Sequence, residues 1–180
     1  HGPQTWIPVA LKTCKALVGR NQRDEFMKEA KMMLLYRHDN VVRIYAIAAD
    51  KPPLLMVMEH CPEGGLDRYL QKNSGKITPA QKVTLCAHAA RGMEYLHGKK
   101  NCIHRDLAAR NVLLGAKLEA KIADFGLTKQ GSYQMEGRGG GAVPIRWTAP
   151  EAIVTGRFSK ETDVWSFAVL CWEVLADGGQ

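Results

Sequence analysis

The apolar positions of this chain change their period part-way along it. Residues 6–13 are compact and β-prone and predict a strand, with Pro8 placing its first half near a sheet edge. Over 21–37, Phe26, Ala30, Met33 and Leu34 recur at helical spacing among charged residues, and Asp24 and Glu25 lie near the start, where a helix dipole favours negative charge. Residues 41–49 and 54–59 predict two further strands, joined by a turn at Asp50-Lys51-Pro52-Pro53. Beyond Glu63-Gly64-Gly65 helices take over. A short one is expected over 66–71. A long one starts at Thr78, which can cap it, with Pro79 at the first helical position and Gln81 completing a capping box; Gly98 is expected to end it. Val112-Leu113-Leu114 and Lys121-Ile122-Ala123 predict two short strands joined by a turn at Gly115. Residues 128–142 are polar, glycine-rich and aperiodic, and read as a mobile loop. Residues 159–176 predict a helix whose centre is apolar nearly all round, the pattern of a buried helix. The shift from strands to helices predicts an α+β fold with a lobe boundary near 59–65.

Composition narrows the classes. With 180 residues, 46% hydrophobic and 24% charged, the chain is globular and can bury one sizeable core or two small lobes. Its five cysteines (Cys14, Cys61, Cys86, Cys102 and Cys171) are scattered without any CxxC spacing. That argues against a disulfide framework or structural zinc site and favours a reducing compartment. The longest apolar stretch, 164–175, is interrupted by Ser166 and Glu173 and is too short to span a bilayer; no secretory signal is visible at the start. The net charge of +7 comes from dispersed lysines and arginines, with Lys99-Lys100 the nearest thing to a cluster. This reads as a solvated basic surface, not a nucleic-acid groove. His88 and His97 lack metal-ligand partners at suitable spacing.

The sharpest chemistry lies at 103–111, where Arg105, Asp106, Arg110 and Asn111 fall between two apolar segments. An aspartate in a loop is usually a turn former. Here His104-Arg105-Asp106, followed five residues later by Asn111, resembles the protein-kinase catalytic loop. Phosphoryl transfer requires positioning and charge neutralisation more than covalent help. Asp106 has the chemistry to orient an acceptor hydroxyl, and Asn111 can offer a carbonyl oxygen to Mg²⁺. A second carboxylate appears at Asp124-Phe125-Gly126, and the expected hairpin would return it beside Asn111. Lys12 closes a Val-Ala-Leu-Lys run, where it is either a solvent-facing strand lysine or a phosphate clamp. Glu29 is either an exposed helical glutamate or the ion-pair partner of Lys12. Asp163 is either a dipole partner at its helix start or an anchor for the catalytic-loop backbone.

From Val9 onward the chain resembles a protein tyrosine kinase domain. The residues carrying this are Ala108-Ala109-Arg110 between Asp106 and Asn111, and the run from Pro144 to Glu151 with Trp147. Lys12-Thr13-Cys14-Lys15, Val57-Met58-Glu59 and Trp147-Thr148-Ala149-Pro150-Glu151 are most similar to the Fes/Fer non-receptor subgroup. The resemblance implies a two-lobed kinase fold, with 1–59 as N-lobe, 60–65 as hinge and 66–180 as C-lobe. It implies transfer of the ATP γ-phosphate to tyrosine hydroxyls of protein substrates, with Mg²⁺, in the cytoplasm. Asp106, Arg110 and Asn111 are the implied catalytic residues, and Asn111 and Asp124 the metal ligands. Lys12, steadied by Glu29, would contact phosphates; Ala10 and Leu113 would sandwich the adenine; Met58 would line the back of the pocket; Glu59 and Cys61 would present the hinge backbone. Tyr133 is the implied phosphorylation site, read by Arg105, with Lys129 where many relatives carry an arginine. Pro144 and Trp147 belong to the substrate loop, while His104, Phe125, Glu151 and Asp163 are structural.

The departures are specific. The chain begins just before the strand carrying Lys12, so no glycine-rich phosphate loop precedes it, and it stops after the helix over 159–176. On that basis it reads as truncated at both ends, Glu151 is expected to be a buried carboxylate without its arginine partner, and the isolated piece is expected to be inactive or poorly folded. Ala168 replaces a usual glycine. The alternative is a non-catalytic pseudokinase or scaffold module, although none of the key groups has been lost.

Overall fold

The computed structural model describes residues 6–14, 20–51, 53–134 and 144–179; the side chains of Glu29 and Tyr133 lie outside the described set. In chain order the elements are β1 (Val9–Cys14), α1 (Arg20–Met33), β2 (Ile44–Ala48), β3 (Leu54–Glu59), β4 (Gly64–Gly65), α2 (Leu66–Lys72), α3 (Pro79–Lys99) and β5 (Cys102–Ile103). Then come β6 (Val112–Leu114), β7 (Ala120–Ile122), β8 (Lys129–Gln130), β9 (Tyr133–Gln134), α4 (Pro150–Thr155), β10 (Arg157–Phe158) and α5 (Lys160–Leu175). The N-terminal lobe is an antiparallel sheet, ordered β1-β3-β2, with α1 packed beside it. The C-terminal lobe is mainly helical, with short paired strands β4-β6-β7, β5-β8 and β9-β10.

Local signals explain most of these elements. The capping box of α3 forms as its residues require: Gln81 N–H donates to Thr78 Oγ1 (3.2 Å) and Thr78 N–H to Gln81 Oε1 (2.8 Å). The β6–β7 hairpin pairs Val112 with Ile122 around the turn at Gly115. The predicted helix end at Gly98 is not observed. α3 runs through it to Lys99, and the left-handed residue that turns the chain is Asn101 (φ 47°), a residue type that tolerates this conformation.

The strand predicted over 41–49 is shortened to β2. Asn40 to Val42 instead bond across to β7: Ile122 N–H donates to Asn40 O and Val42 N–H to Ile122 O, both at 2.9 Å. Asn40 Nδ2 also donates to Ala120 O (2.9 Å). These bonds stitch the lobes together beneath α3. Gly92 lets α3 approach, since a Cβ there would sit 2.5 Å from Asn40 O and 2.9 Å from Ile122 Cγ1. One apolar core accordingly runs from Met33, Ile44 and Met56 through Leu85 and Leu96 to Leu107, Phe125 and Leu170.

α5 also departs from expectation. Only one stripe is buried, containing Asp163, Ser166, Leu170, Glu173 and Val174 and packing toward α3. Val164, Trp165, Trp172 and Leu175 are exposed, Trp172 by 53%. Apolar content signals a capacity for burial, whereas actual burial requires a covering element on each face. The segment read as one aperiodic loop contains β8 and β9 within its described part, and residues 135–143 lie outside the described residues.

Candidate active site

The catalytic-loop candidate is held from below by α5. Asp163, buried to 1% exposure, accepts the His104 N–H on Oδ2 (2.7 Å) and the Arg105 N–H on Oδ1 (2.9 Å). His97 Nε2 lies 2.9 Å from the same Oδ2. Of its two sequence readings, Asp163 takes the anchor. This fits Arg105, which is non-glycine yet sits at φ 70° and needs external bonds to hold it there. His104 is buried; its Nε2 is 3.0 Å from Ala123 O, while its Nδ1 accepts the Asp106 N–H at 3.3 Å. Donation at one nitrogen and acceptance at the other describe a neutral ring with its proton on Nε2. The Phe125 ring packs against it, tilted by 58° with centroids 5.3 Å apart, and is almost fully buried.

Above that base, Asp106 is half-buried and both of its carboxylate oxygens are engaged. Arg110 Nη2 donates to Oδ1, and Asn111 Nδ2 donates to Oδ2 (2.7 Å) and to the Asp106 carbonyl (2.7 Å). Both acceptors of Asn111 are oxygens, so the nitrogen must face Asp106 and Oδ1 is the atom left for another ligand. The hairpin register then brings Asp124 to the same place, with Ala123 N–H donating to Asn111 O at 2.9 Å. Asp124 is exposed, adopts φ 56°, and its Oδ1 is 3.4 Å from Lys12 Nζ. A cavity of about 240 Å³ is lined by Lys12, Met58, Arg110, Asn111, Leu113 and Asp124, among others. An amide oxygen and a carboxylate on one wall are hard donors suited to a divalent cation whose other ligands come from phosphate and water. Among the described residues no group of three or more His, Cys, Asp or Glu could hold a metal by itself.

Around this cavity the remaining candidates are distributed unevenly. Ala10 pairs with Met58 in the β1–β3 register but does not line the cavity. The Cys61 carbonyl accepts the Gly64 N–H (3.1 Å), and the Cys61 thiol is buried and pushed up to about 11 by that burial. Glu59 uses its side chain, with Oε1 2.9 Å from Lys121 Nζ and Oε2 accepting the Arg43 N–H (3.3 Å). Lys121 Nζ also donates to Asp39 O (2.7 Å).

On the far side, the Trp147 ring lies under the Arg110 guanidinium at 4.3 Å, and Pro144 O accepts the Trp147 N–H (2.9 Å). Arg105 Nη1 donates to Leu127 O (2.9 Å), and its guanidinium covers the Phe158 ring at 4.4 Å. Phe158 is the register partner of Tyr133, so the Tyr133 backbone lies one strand from Arg105. Lys129 is opposite Ile103 in β8. Glu151 corrects the sequence expectation: it is exposed near the start of α4, so water solvates its carboxylate and no buried unpaired charge arises.

Comparison with known proteins bears directly on this arrangement. The family model described as protein tyrosine and serine/threonine kinase matches residues 1–180. The chain belongs to the protein tyrosine and serine/threonine kinase family. Rat (Rattus norvegicus) tyrosine-protein kinase Fer is 42% identical over 174 residues, which are 95% of this chain and 21% of that protein. Fer-related kinase 1 of Caenorhabditis elegans is 43% identical over 172 residues, 96% of this chain and 43% of that protein. Zebrafish (Danio rerio) ephrin type-A receptor 3 is 39% identical over 178 residues, 96% of this chain and 18% of that protein. The kinase chain thus spans less than half the length of each of these relatives.

Two residues of the kinase site carry no motif signal. Glu173, buried in α5, accepts the Ala109 N–H and the Trp147 Nε1–H on one oxygen, each at 2.9 Å, and so joins the catalytic loop to the Pro144–Trp147 turn. The available clue was a lone glutamate interrupting an apolar helix centre, which must find donors if buried. Lys121 likewise resembled an ordinary alternating strand lysine until its three-way contact with Glu59 and Asp39 appeared.

Proposed function

We propose that this chain is the catalytic portion of a protein tyrosine kinase that transfers the γ-phosphate of ATP, bound with Mg²⁺, to tyrosine hydroxyls of proteins. The observation that carries this reading is one cavity lined by Lys12, Arg110, Asn111 and Asp124, with Asp106 bonded to both Arg110 and Asn111 beside it and Lys12 lying against Asp124. In this reading Asp106 orients the incoming hydroxyl and takes its proton. Asn111 Oδ1 and Asp124 hold the cation, which supplies charge neutralisation when bound. Lys12, with Glu29 as its proposed support, engages phosphate. Met58 and Leu113 bound the base site, and the Glu59 and Cys61 backbone flanks it. Arg110, held flat on Trp147, presents a guanidinium and an aromatic plane together, a surface suited to a phenol ring and wasted on a serine.

Arg105 and Lys129 support a regulatory role for Tyr133. Phosphate there adds roughly −1.5 to −2 charge within one strand of Arg105. A cytoplasmic location also belongs to this proposal; among the described residues no helix is long and apolar enough to cross a membrane.

The test is phosphate transfer from Mg-ATP to paired peptides differing only in Tyr versus Ser, using the protein that carries this chain. Transfer to tyrosine alone is expected, and Asp106→Asn abolishes it without lowering the melting temperature. Undiminished transfer by Asp106→Asn removes the role given to that residue. No transfer by the folded, loop-phosphorylated protein favours a pseudokinase.

A further inference from the structure

A second cavity, of about 290 Å³, shares no lining residue with the first. Three parts of the C-terminal lobe build it. Tyr69 comes from α2 and Ile77 from the segment beyond it, the first turns of α3 supply one wall, and the turn between β6 and β7 brings Lys117 and Leu118. Tyr69, Ile77 and Leu118 are half-buried and Leu85 of α3 is buried, so the cavity has a continuous apolar side. An apolar hollow with a few polar groups converging on it is the usual form of a small-molecule site.

The polar groups of the lining all have the same sense. His88 Nδ1 accepts the Ala120 N–H (3.3 Å), so the neutral ring carries its proton on Nε2 and has a donor to offer. Gln81 spends its Oε1 on Thr78, accepting the N–H (2.8 Å) and the hydroxyl (3.1 Å), which leaves its amide NH₂ as the available end. Lys117 is exposed and brings a full positive charge. Among the described residues no acidic side chain lines the cavity. The neighbouring carboxylate, Glu119, is engaged by the turn itself, its Oε2 accepting the Lys117 N–H at 2.9 Å.

We propose that this cavity is a binding site for a small amphipathic carboxylate, an aryl-alkyl acid whose apolar body lies against Leu85, Leu118, Ile77 and Tyr69. Its carboxylate meets Lys117 and the donors of His88 and Gln81. The charge balance decides the class of ligand. Two neutral donors and a cation without an acidic side chain complement an anion, and charge-assisted hydrogen bonds are stronger than neutral ones. The Tyr69 and His88 rings add aromatic surface for an aryl body. Occupancy bears on the β6–β7 hairpin at two points, its turn at Lys117 and Leu118 and, through His88, the Ala120 N–H. The inference stands independently of the reaction proposed above, because none of these residues belongs to the first cavity.

The test is a ligand-observed NMR titration of the purified protein at pH 7.5 with phenylbutyrate, its neutral amide and phenylbutylamine. Phenylbutyrate is expected to saturate one site with Kd on the order of 0.1–1 mM. The amide should bind ~10-fold more weakly and the amine more weakly still. Thr84→Trp fills the cavity from an exposed position of α3 and should abolish binding. Lys117→Gln, at an exposed turn position that leaves the fold intact, should weaken phenylbutyrate ~3- to 5-fold, and Lys117→Glu should reverse the order of acid and amine. Mg-ATP should not displace the acid. Equal binding of acid and amide, displacement by Mg-ATP, or full binding by both Thr84→Trp and Lys117→Glu overturns the proposal. So does saturation by a short peptide of apolar and acidic residues where phenylbutyrate fails, which would give the cavity to a protein partner.

Discussion

From His104 to Asn111 the loop is buried or half-buried, and several of its N–H groups end on carboxylates of α5. From Asp124 to Gln134 the described side chains are mostly exposed, Phe125 and Thr128 being the buried exceptions, and Asp124 meets Lys12 at 3.4 Å. Both segments contribute to one cavity, yet they are held by opposite means. In the proposed reaction, groups preorganised around the acceptor hydroxyl are fixed by buried ionic hydrogen bonds, which cost desolvation but leave little freedom. A group that engages a cation and phosphate can stay accessible and be ordered by the ligand.

Asp163→Ala tests the held side most severely. It leaves the His104 and Arg105 N–H groups without their acceptor, at a cost of about 3–5 kcal/mol measurable by urea unfolding. A loss below about 1 kcal/mol would mean the loop is fixed by something other than α5.

Glu173→Ala removes the acceptor shared by Ala109 and Trp147 and is expected to cost about 2–3 kcal/mol, with Glu173→Gln recovering part of it. In kinetics it should raise KM for a peptide more than KM for ATP, because Trp147 supports Arg110. Equal changes in both would show that Glu173 serves only the fold.

Asp124→Asn should separate function from stability on the other side. Stability is expected to change by less than about 0.5 kcal/mol, since the side chain is exposed, while phosphate transfer falls ~100-fold or more. A large melting shift with little loss of transfer would reverse the comparison.

The smallest effect concerns His88, whose Nδ1 accepts the Ala120 N–H (3.3 Å) at the start of the strand leading to Asp124. Burial, aided by the charge of Arg91, holds its pKa below the ordinary 6.5. The unfolded chain therefore takes up this proton first as pH falls. The contribution to stability is complete above about 6.5 and is lost progressively below it. His88→Asn should flatten the pH dependence of the melting temperature between pH 7.5 and 5.5; an unchanged slope would clear His88 of any part in it.

Much of the site was legible because its signals are local. Asp106 and Asn111 sit five residues apart, close enough for one tight loop to bond them. The β6–β7 hairpin is short enough that its turn sets the register that returns Asp124. Glu173 and Lys121 were opaque because their partners are remote: Trp147 and Ala109 for one, Glu59 and Asp39 for the other.

By itself the amino-acid sequence determined the α+β order of elements, the capped start of α3 and the side-chain chemistry of the loop over 103–111. Caps, hairpin registers and side-chain chemistry depend on residues within a few positions of one another. Only the tertiary structure decided that Asn40 to Val42 bond to β7 instead of extending β2, that α3 passes Gly98, and that α5 buries one stripe alone. Each depends on which distant backbone or helix face comes to lie alongside, a matter of packing that no local pattern encodes.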